Sequence, residues 1–157
     1  MASGRDVQLA RQIGESLAVA ELGRRGWIAT SFTGSLPGFD LLAVNAEGRF
    51  LEVQVKALRS GTWQLNAGQF INVEMNGDEQ IVRGPRAIKS AGRICIFIRL
   101  REQGADEFYV FSWHQLQQIL LSGYKAGKRP KNPTTLHHAL RPNDIAQFRD
   151  DWRLLES

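Results

Sequence analysis

The segment 50–57 constrains the fold of this chain more than any other. Its apolar and polar residues alternate, in the order Phe50, Leu51, Glu52, Val53, Gln54, Val55, Lys56 and Ala57. Because side chains of a β-strand point alternately to its two faces, the segment is predicted to be a strand with one apolar face and one polar face. An acid, an amide and an amine in a row are unfavourable beside a core unless charged groups lie against them. The polar face is therefore where we expect chemistry.

The length and composition of the chain predict one soluble domain. Its 157 residues are 43% hydrophobic and 23% charged, which is ordinary for a globular protein. No apolar run approaches the roughly 18 residues that a membrane span needs, and the first residues lack a signal-peptide pattern. A single cysteine, Cys95, leaves no partner for a disulfide or for a paired-cysteine metal site. We expect a single domain over 1–157, in the cytoplasm and without a membrane partner.

The order of the predicted elements indicates a mixed sheet flanked by helices. Ser3 and Asp6 form a capping-box pattern that opens a helix, and Gly26 is a stop signal just after its expected end near Arg25. Five strands are predicted at 27–32, 39–44, 49–57, 94–100 and 107–111. Strands gathered between helices indicate an α/β or α+β domain with a central five-stranded sheet.

Two parts of the chain are expected to be less regular. The stretch 59–93 has poor periodicity and recurring glycine, which is typical of a functional loop region. Ser112 is predicted to cap a helix with an apolar stripe, and a last short helix is expected from about Asn143. The segment 123–157 is thus expected to be a basic loop followed by a C-terminal helical extension.

A turn at 45–48 is predicted to join the second and third strands into a hairpin. In such a hairpin Asp40, at the start of the second strand, lies across from the end of the third strand that carries Gln54 and Lys56. Asp40 would then lie close to the polar row of Glu52, Gln54 and Lys56.

These residues carry a family resemblance. Pro37, Gly38, Phe39 and Asp40, followed by a hairpin and by Glu52-Val53-Gln54-Val55-Lys56, resemble the PD-(D/E)xK nuclease superfamily, which includes Holliday junction resolvases. Glu15 precedes the Gly26-Trp27 pair by three helical turns, as in resolvase-like members. Gln54 stands where the family usually has an acid, and similar Gln-x-Lys branches exist. The resemblance implies the restriction-endonuclease-like fold.

The resemblance also implies an activity, a cofactor and a role for each residue. It implies a metal-dependent endonuclease that uses Mg²⁺ or Mn²⁺ to hydrolyse phosphodiester bonds. The implied metal ligands and ligands of metal-bound water are Asp40, Gln54, the backbone carbonyl of Val55, Glu15 and Glu52. Lys56 would orient the attacking water or stabilise charge on the phosphate, and Glu21 is an alternative to Glu15.

Charge favours a polyanionic partner. The formal net charge is +4, and 15 of the 20 basic residues are arginine, whose planar fork suits phosphate oxygens. DNA is the expected substrate and RNA is possible. The candidate nucleic-acid contacts are Arg83, Arg86, Lys89, Lys125, Lys128, Arg129 and Lys131. The basic stretch 124–133 is equally compatible with a solvated linker.

Other interpretations stay open at this point. The chain could be a nuclease-fold protein that has lost catalysis and serves as a binding or assembly subunit, which Gln54 favours. It could also be a small basic protein that binds RNA or a protein partner, with Glu52 and Lys56 as an ordinary ion pair on an exposed sheet. Trp63 is expected either in the core or stacked on a base. A homodimer through the C-terminal helices is predicted from their leucine and tryptophan content.

Overall fold

A five-stranded mixed sheet forms the centre of the protein, in a computed structural model that describes residues 3–32, 39–88, 92–129 and 131–156. Helix α1 spans Gly4–Arg24 and helix α2 spans Trp113–Gly123. The sheet has the order β1-β2-β3-β7-β8, made of β1 Trp27–Ser31, β2 Leu41–Asn45, β3 Phe50–Leu58, β7 Ile94–Arg99 and β8 Glu107–Ser112. The five predicted strands and the mixed α+β class are confirmed.

Helix α1 begins and ends at the predicted signals. The Ser3 side chain accepts a hydrogen bond from the Asp6 amide, and the Asp6 carboxylate accepts one from the Ser3 amide, which satisfies two amides of the first turn. Gly26 has a φ of +86°, a conformation that favours glycine and stops the helix. In the described part of the chain, no helix is both long enough and apolar enough to cross a membrane.

The predicted hairpin sets the register of the sheet. Strands β2 and β3 pair antiparallel with Leu41 opposite Val53, and the turn between them contains Gly48 at a φ of +81°. This register brings Asp40 beside the carboxyl end of β3, as the sequence predicted. Strand β7 then pairs parallel with β3, with Val53 beside Ile94. A parallel neighbour requires a crossover connection, and the segment between the two strands supplies it.

The expectation of an irregular stretch over 59–93 is wrong. Its described part contains β4 Trp63–Asn66, β5 Ile71–Asn76 and β6 Glu79–Pro85. Strands β5 and β6 form an antiparallel hairpin whose two-residue turn, Gly77-Asp78, has Gly77 at a φ of +65°. Periodicity is a poor guide here because most side chains of β5 and β6 are exposed, whereas the Gly-Asp turn was a usable hairpin signal.

The segment after α2 also departs from the predicted helical extension. It contains two short strands, β9 Gly127–Lys128 and β10 His137–Leu140, and two short 3₁₀ helices, Pro142–Phe148 and Trp152–Leu155. Strand β10 pairs antiparallel with β4, so this segment folds back onto the crossover. Proline at the first turn and a break at Ile145 limit the first 3₁₀ helix.

The side chains that suggested a C-terminal dimer surface lie mostly in the protein's own core. Trp113, Leu116 and Leu120 of α2 are buried, and so is Leu155 near the end of the chain. They pack in the cores on the two faces of the sheet, so they present no apolar face to a second copy. Any dimer contact would have to use other residues.

Close packing between α1 and β3 positions the helix over the sheet. The buried residues of α1 recur every four positions, at Ala10, Gly14, Ala18 and Leu22. A side chain at Gly14 would place its Cβ only 2.5 Å from the Cβ of Ala57, which follows Lys56 in β3. Glycine therefore permits the close contact at this point.

We predict that Gly14→Ala destabilises the protein although alanine favours helix. Overpacking of this kind typically lowers the free energy of unfolding by about 1–3 kcal/mol, which outweighs the roughly 1 kcal/mol helix preference. The matched control is Gly23→Ala in the same helix, where an added Cβ meets nothing within 4 Å. Urea unfolding of both variants checks this. Equal stability of the two variants would contradict the close-packing account.

Candidate catalytic site

A cleft of about 550 Å³ opens where α1, the start of β2 and the carboxyl end of β3 meet. It brings together four of the predicted site residues, Asp40, Gln54, Lys56 and Glu15, with the backbone of Val55. Asp40 and Gln54 come from adjacent antiparallel strands, and Lys56 lies one strand repeat further on the same face. Glu15 reaches the cleft from α1.

The carboxylate of Asp40 is held by strand β3. Its Oδ2 accepts a hydrogen bond from the backbone amide of Val55 at 2.8 Å and one from Nε2 of Gln54 at 3.0 Å. The backbone amide of Asp40 donates to the Val53 carbonyl at 2.8 Å. The side chain of Asp40 thus continues the β2–β3 ladder beyond its last residue pair. Its orientation is set by the sheet and does not depend on a flexible rotamer.

Lys56 contributes a positive charge to the same cleft. Among the residues that the structure describes it has no carboxylate within ion-pair distance, although most of the chain's arginines do. Its neighbour across the sheet is Phe97, and the buried thiol of Cys95 lies near it. Burial raises the pKa of Cys95, so this thiol stays protonated and behaves as a core residue.

Arg11 lies between the two carboxylates of the cleft. Its Nε donates to Oε1 of Glu15 at 3.0 Å, and its Nη2 is 3.8 Å from Oδ1 of Asp40. The hydrogen bond to Glu15 raises the pKa of Arg11, so the guanidinium stays charged. Sequence reasoning missed Arg11. The available signal was its position four residues before Glu15, which places both on one face of α1.

Glu52 does not line this cleft, although it shares the polar face of β3. Its Oε2 accepts a hydrogen bond from the Nε of Arg93 at 2.8 Å, and the Nη2 of Arg93 lies 2.8 Å from the same oxygen. Arg93 is only 12% exposed at its side chain, and its guanidinium lies 4.8 Å from the ring centre of Trp113 and 5.5 Å from that of Phe39. The predicted ligand Glu52 is therefore committed to a partly buried ion pair. The alternative Glu21 is also paired, with Arg25 at 2.6 Å.

The described residues hold no cluster of three or more carboxylate, histidine or cysteine side chains that could bind a metal ion. The oxygen donors of the cleft are instead two carboxylates, Asp40 and Glu15, and the amide of Gln54. In the present arrangement Gln54 turns its Nε2 towards Asp40. A half turn of the amide would direct its oxygen there instead, so the residue can serve either as donor or as oxygen ligand.

Neutral hydrogen-bonding side chains line the cleft beyond Lys56. They are Thr62, Gln64 and Gln69, with Trp63 beneath them. Trp63 is 3% exposed and packs on Phe97 and Tyr109, so its predicted core position is confirmed and base stacking is not available to it here.

The predicted nucleic-acid contacts do not form one group. Arg83 pairs with Glu74 and Lys128 pairs with Asp78, both at the surface. Arg86 lies at the end of β6, and Lys89 and the loop residues Pro37 and Gly38 lie outside the described residues. Lys125 and Arg129 line a second cleft, whereas Lys131 is exposed in the loop beyond it.

Comparison with known proteins identifies the fold of the chain. No family model matches the sequence, and neither does any curated protein. A bacterial homing endonuclease is similar in structure, with a TM-score of 0.54 and 18% identity over 94% of this chain and 91% of that one. The Holliday junction resolvase of the archaeal hyperthermophile Archaeoglobus fulgidus aligns with a TM-score of 0.41 and 19% identity, over 86% of this chain and 98% of that one. The likeness to the homing endonuclease shows that the chain has the restriction-endonuclease-like fold.

Proposed function

We propose that the protein is a metal-dependent nuclease that hydrolyses phosphodiester bonds in DNA. The observation that carries the proposal is the convergence of Asp40, Gln54 and Lys56 with Glu15 in one cleft. Acidic and amide oxygens beside an unpaired lysine are the groups that phosphodiester hydrolysis needs. The fold supports the same activity, since the similar bacterial structure is an endonuclease.

The donor set of the cleft fits a hard divalent cation such as Mg²⁺ or Mn²⁺. Mg²⁺ is usually held by one or two carboxylates together with water and substrate phosphates, and it does not require an all-protein cage. Asp40, Gln54 and Glu15 would hold the ion, with the backbone carbonyl of Val55 as a further oxygen ligand. Glu52 would take no direct part, because Arg93 already binds its carboxylate.

Each residue of the cleft has a task in this proposal. A divalent cation, when bound, neutralises the phosphate and lowers the pKa of a coordinated water. Lys56 would place a fixed positive charge beside the negative charge that develops on the phosphate oxygens. Arg11 would leave Asp40 and Glu15 when they bind the cation, and its 65% exposed side chain could then contact the substrate backbone. Water would form the new bond to phosphorus as the bond to one sugar oxygen breaks, with loss of a proton from the water and gain of one by the leaving sugar oxygen.

A second candidate function is DNA binding without cleavage. Gln54 contributes no charge, and the carboxylate nearest to it along β3 belongs to the ion pair with Arg93. A site with two carboxylates would bind a cation more weakly than a site with three. The two functions share the fold and the cleft, and they differ in whether bound DNA is cut.

We predict cleavage of supercoiled plasmid or branched DNA by the wild-type protein with Mg²⁺ or Mn²⁺, and none after chelation. Asp40→Asn and Lys56→Met should each lower the rate by roughly 100-fold or more, since the first removes a charged ligand of the cation and the second removes the positive charge beside the phosphate. Arg101→Met, which changes an exposed residue outside the cleft, is the control and should cut normally. Cleavage that persists in both cleft variants would rule out this site. Binding without cleavage by the wild type would favour the second function.

We predict that Gln54→Glu makes the protein depend on divalent cations for stability. The Nε2 atom of Gln54 lies 3.0 Å from Oδ2 of Asp40, so a second carboxylate there would repel the first when no cation is bound. Melting temperature should fall in chelator and rise with added Mg²⁺ by more than in the wild type. A melting temperature that does not respond to Mg²⁺ would show that this pair does not hold the ion.

We predict that Glu52→Gln lowers the stability of the protein and leaves its affinity for the cation unchanged. Glu52→Gln, Arg93→Gln and the double variant form a cycle, and the coupling energy should be roughly 0.5–3 kcal/mol because both side chains are largely buried. Urea unfolding gives the coupling, and calorimetric titration with Mn²⁺ gives the affinity. Loss of Mn²⁺ affinity in Glu52→Gln at unchanged stability would restore Glu52 as a ligand.

A further inference from the structure

A second cleft of about 820 Å³ lies between α2, β10 and the 3₁₀ helix Pro142–Phe148. The catalytic proposal does not use it. The charged side chains that line it are Lys125, Arg129, Arg141 and Asp144, and two histidines, His137 and His138, join them. Three permanent cations against one carboxylate leave the lining at +2 when both histidines are neutral.

The positive charge of this cleft is concentrated on two residues. The Nη2 and Nε of Arg141 donate to the two carboxylate oxygens of Asp144 at 3.1 and 3.4 Å, so the charges of this pair cancel. Lys125 and Arg129 have no carboxylate within ion-pair distance among the described residues. By contrast, the surface cations Lys128 and Arg83 are paired with acids. The cleft therefore offers unneutralised charge to an anion.

Arg129 is held in place before any ligand arrives. Its Nη1 donates to the Lys125 carbonyl at 2.7 Å and its Nη2 to the His137 carbonyl at 2.9 Å. The guanidinium lies 5.3 Å from the ring centre of Tyr124, whose hydroxyl donates to the buried side chain of Gln80 at 2.6 Å. A charge that is already ordered loses little side-chain freedom on binding.

A single two-stranded ribbon separates the second cleft from the catalytic cleft. Strand β4 contributes Trp63 and Gln64 to the catalytic cleft, and β10 contributes His137 and His138 to the second. The two strands pair residue by residue, and the side chains of Gln64 and His137 hydrogen bond across the ribbon. One lining residue of each cleft therefore contacts the other across the ribbon.

We propose that the second cleft binds the phosphate backbone of DNA at a distance from the bond that is cut. The inference rests on the proposed nuclease function, because it assigns both clefts to one DNA molecule. The ligand is an extended polyanion, since a small anion would not span the ribbon between the two clefts. Lys125 and Arg129 supply the phosphate contacts, which position the substrate without reading its sequence.

The test compares two charge-matched double variants by fluorescence anisotropy with labelled DNA duplexes of increasing length, in chelator so that no cleavage occurs. Lys125→Gln with Arg129→Gln removes the cleft charge. Arg24→Gln with Arg101→Gln removes the same charge from exposed positions in neither cleft. Arg129→Lys keeps the charge, and urea unfolding of all variants reports on folding.

We expect the cleft pair to weaken binding of long duplexes at least 10-fold and to lower the salt slope of log affinity by about 2, one for each lost phosphate contact. The shortest duplexes and the control pair should bind almost as the wild type does, and Arg129→Lys should lose less affinity than the cleft pair. Equal losses in the two double variants, or a loss that does not depend on duplex length, would overturn the proposal. Tighter binding of an RNA duplex than of DNA through these residues would also overturn it.

The outcome is separable from that of the proposed function. If the wild type cuts DNA with Mg²⁺ and the cleft pair binds like the control pair, the second cleft has no such role and the nuclease proposal stands. If the cleft pair loses binding as expected and the wild type never cuts, the nuclease proposal fails and the assignment of this cleft to DNA stands.

Discussion

The hydrogen bond from the Val55 amide to the Asp40 carboxylate is the contact on which the candidate site depends. At 2.8 Å it ties the acid just before β2 to the strand that carries Gln54 and Lys56. Because an amide of the sheet provides the contact, the position of the acid follows from the register of the β2–β3 hairpin. A slip of one residue in that register would turn the polar row of β3 into the core. The geometry of the site is thus a property of the sheet.

The second constraint is the approach of α1 to β3 at Gly14 and Ala57. It brings Arg11 and Glu15, one turn apart on the helix, to the edge of the same cleft. The guanidinium between the carboxylates of Glu15 and Asp40 keeps two acids compatible in a small space. In the proposed mechanism Arg11 would balance the charge of the two carboxylates before the cation binds. The cation would then balance it, which would leave the arginine free to contact the substrate.

Much of the fold around the candidate site could be predicted from local sequence patterns. Alternation in 50–57, the turn at 45–48 and the capping box at Ser3 led to the sheet, the hairpin and α1, since each depends on neighbours in sequence. The partner of Glu52 could not be predicted, because Arg93 lies 41 positions away and reaches it only through the parallel pairing of β3 with β7. The pairing of β4 with β10, which separates the two clefts, likewise joins residues more than 70 positions apart.

The central proposal is that Asp40, Gln54, Glu15 and the backbone carbonyl of Val55 hold a divalent cation. Its most direct test is a set of proton–nitrogen NMR spectra of the full chain with substoichiometric Mn²⁺, which broadens the amide signals nearest to the bound ion. The account predicts that the backbone amides of Asp40 and Val55 and the side-chain amide of Gln54 broaden first, while the backbone amides of Lys125 and Arg101 stay sharp. Broadening centred elsewhere, or none near these three residues, would contradict it.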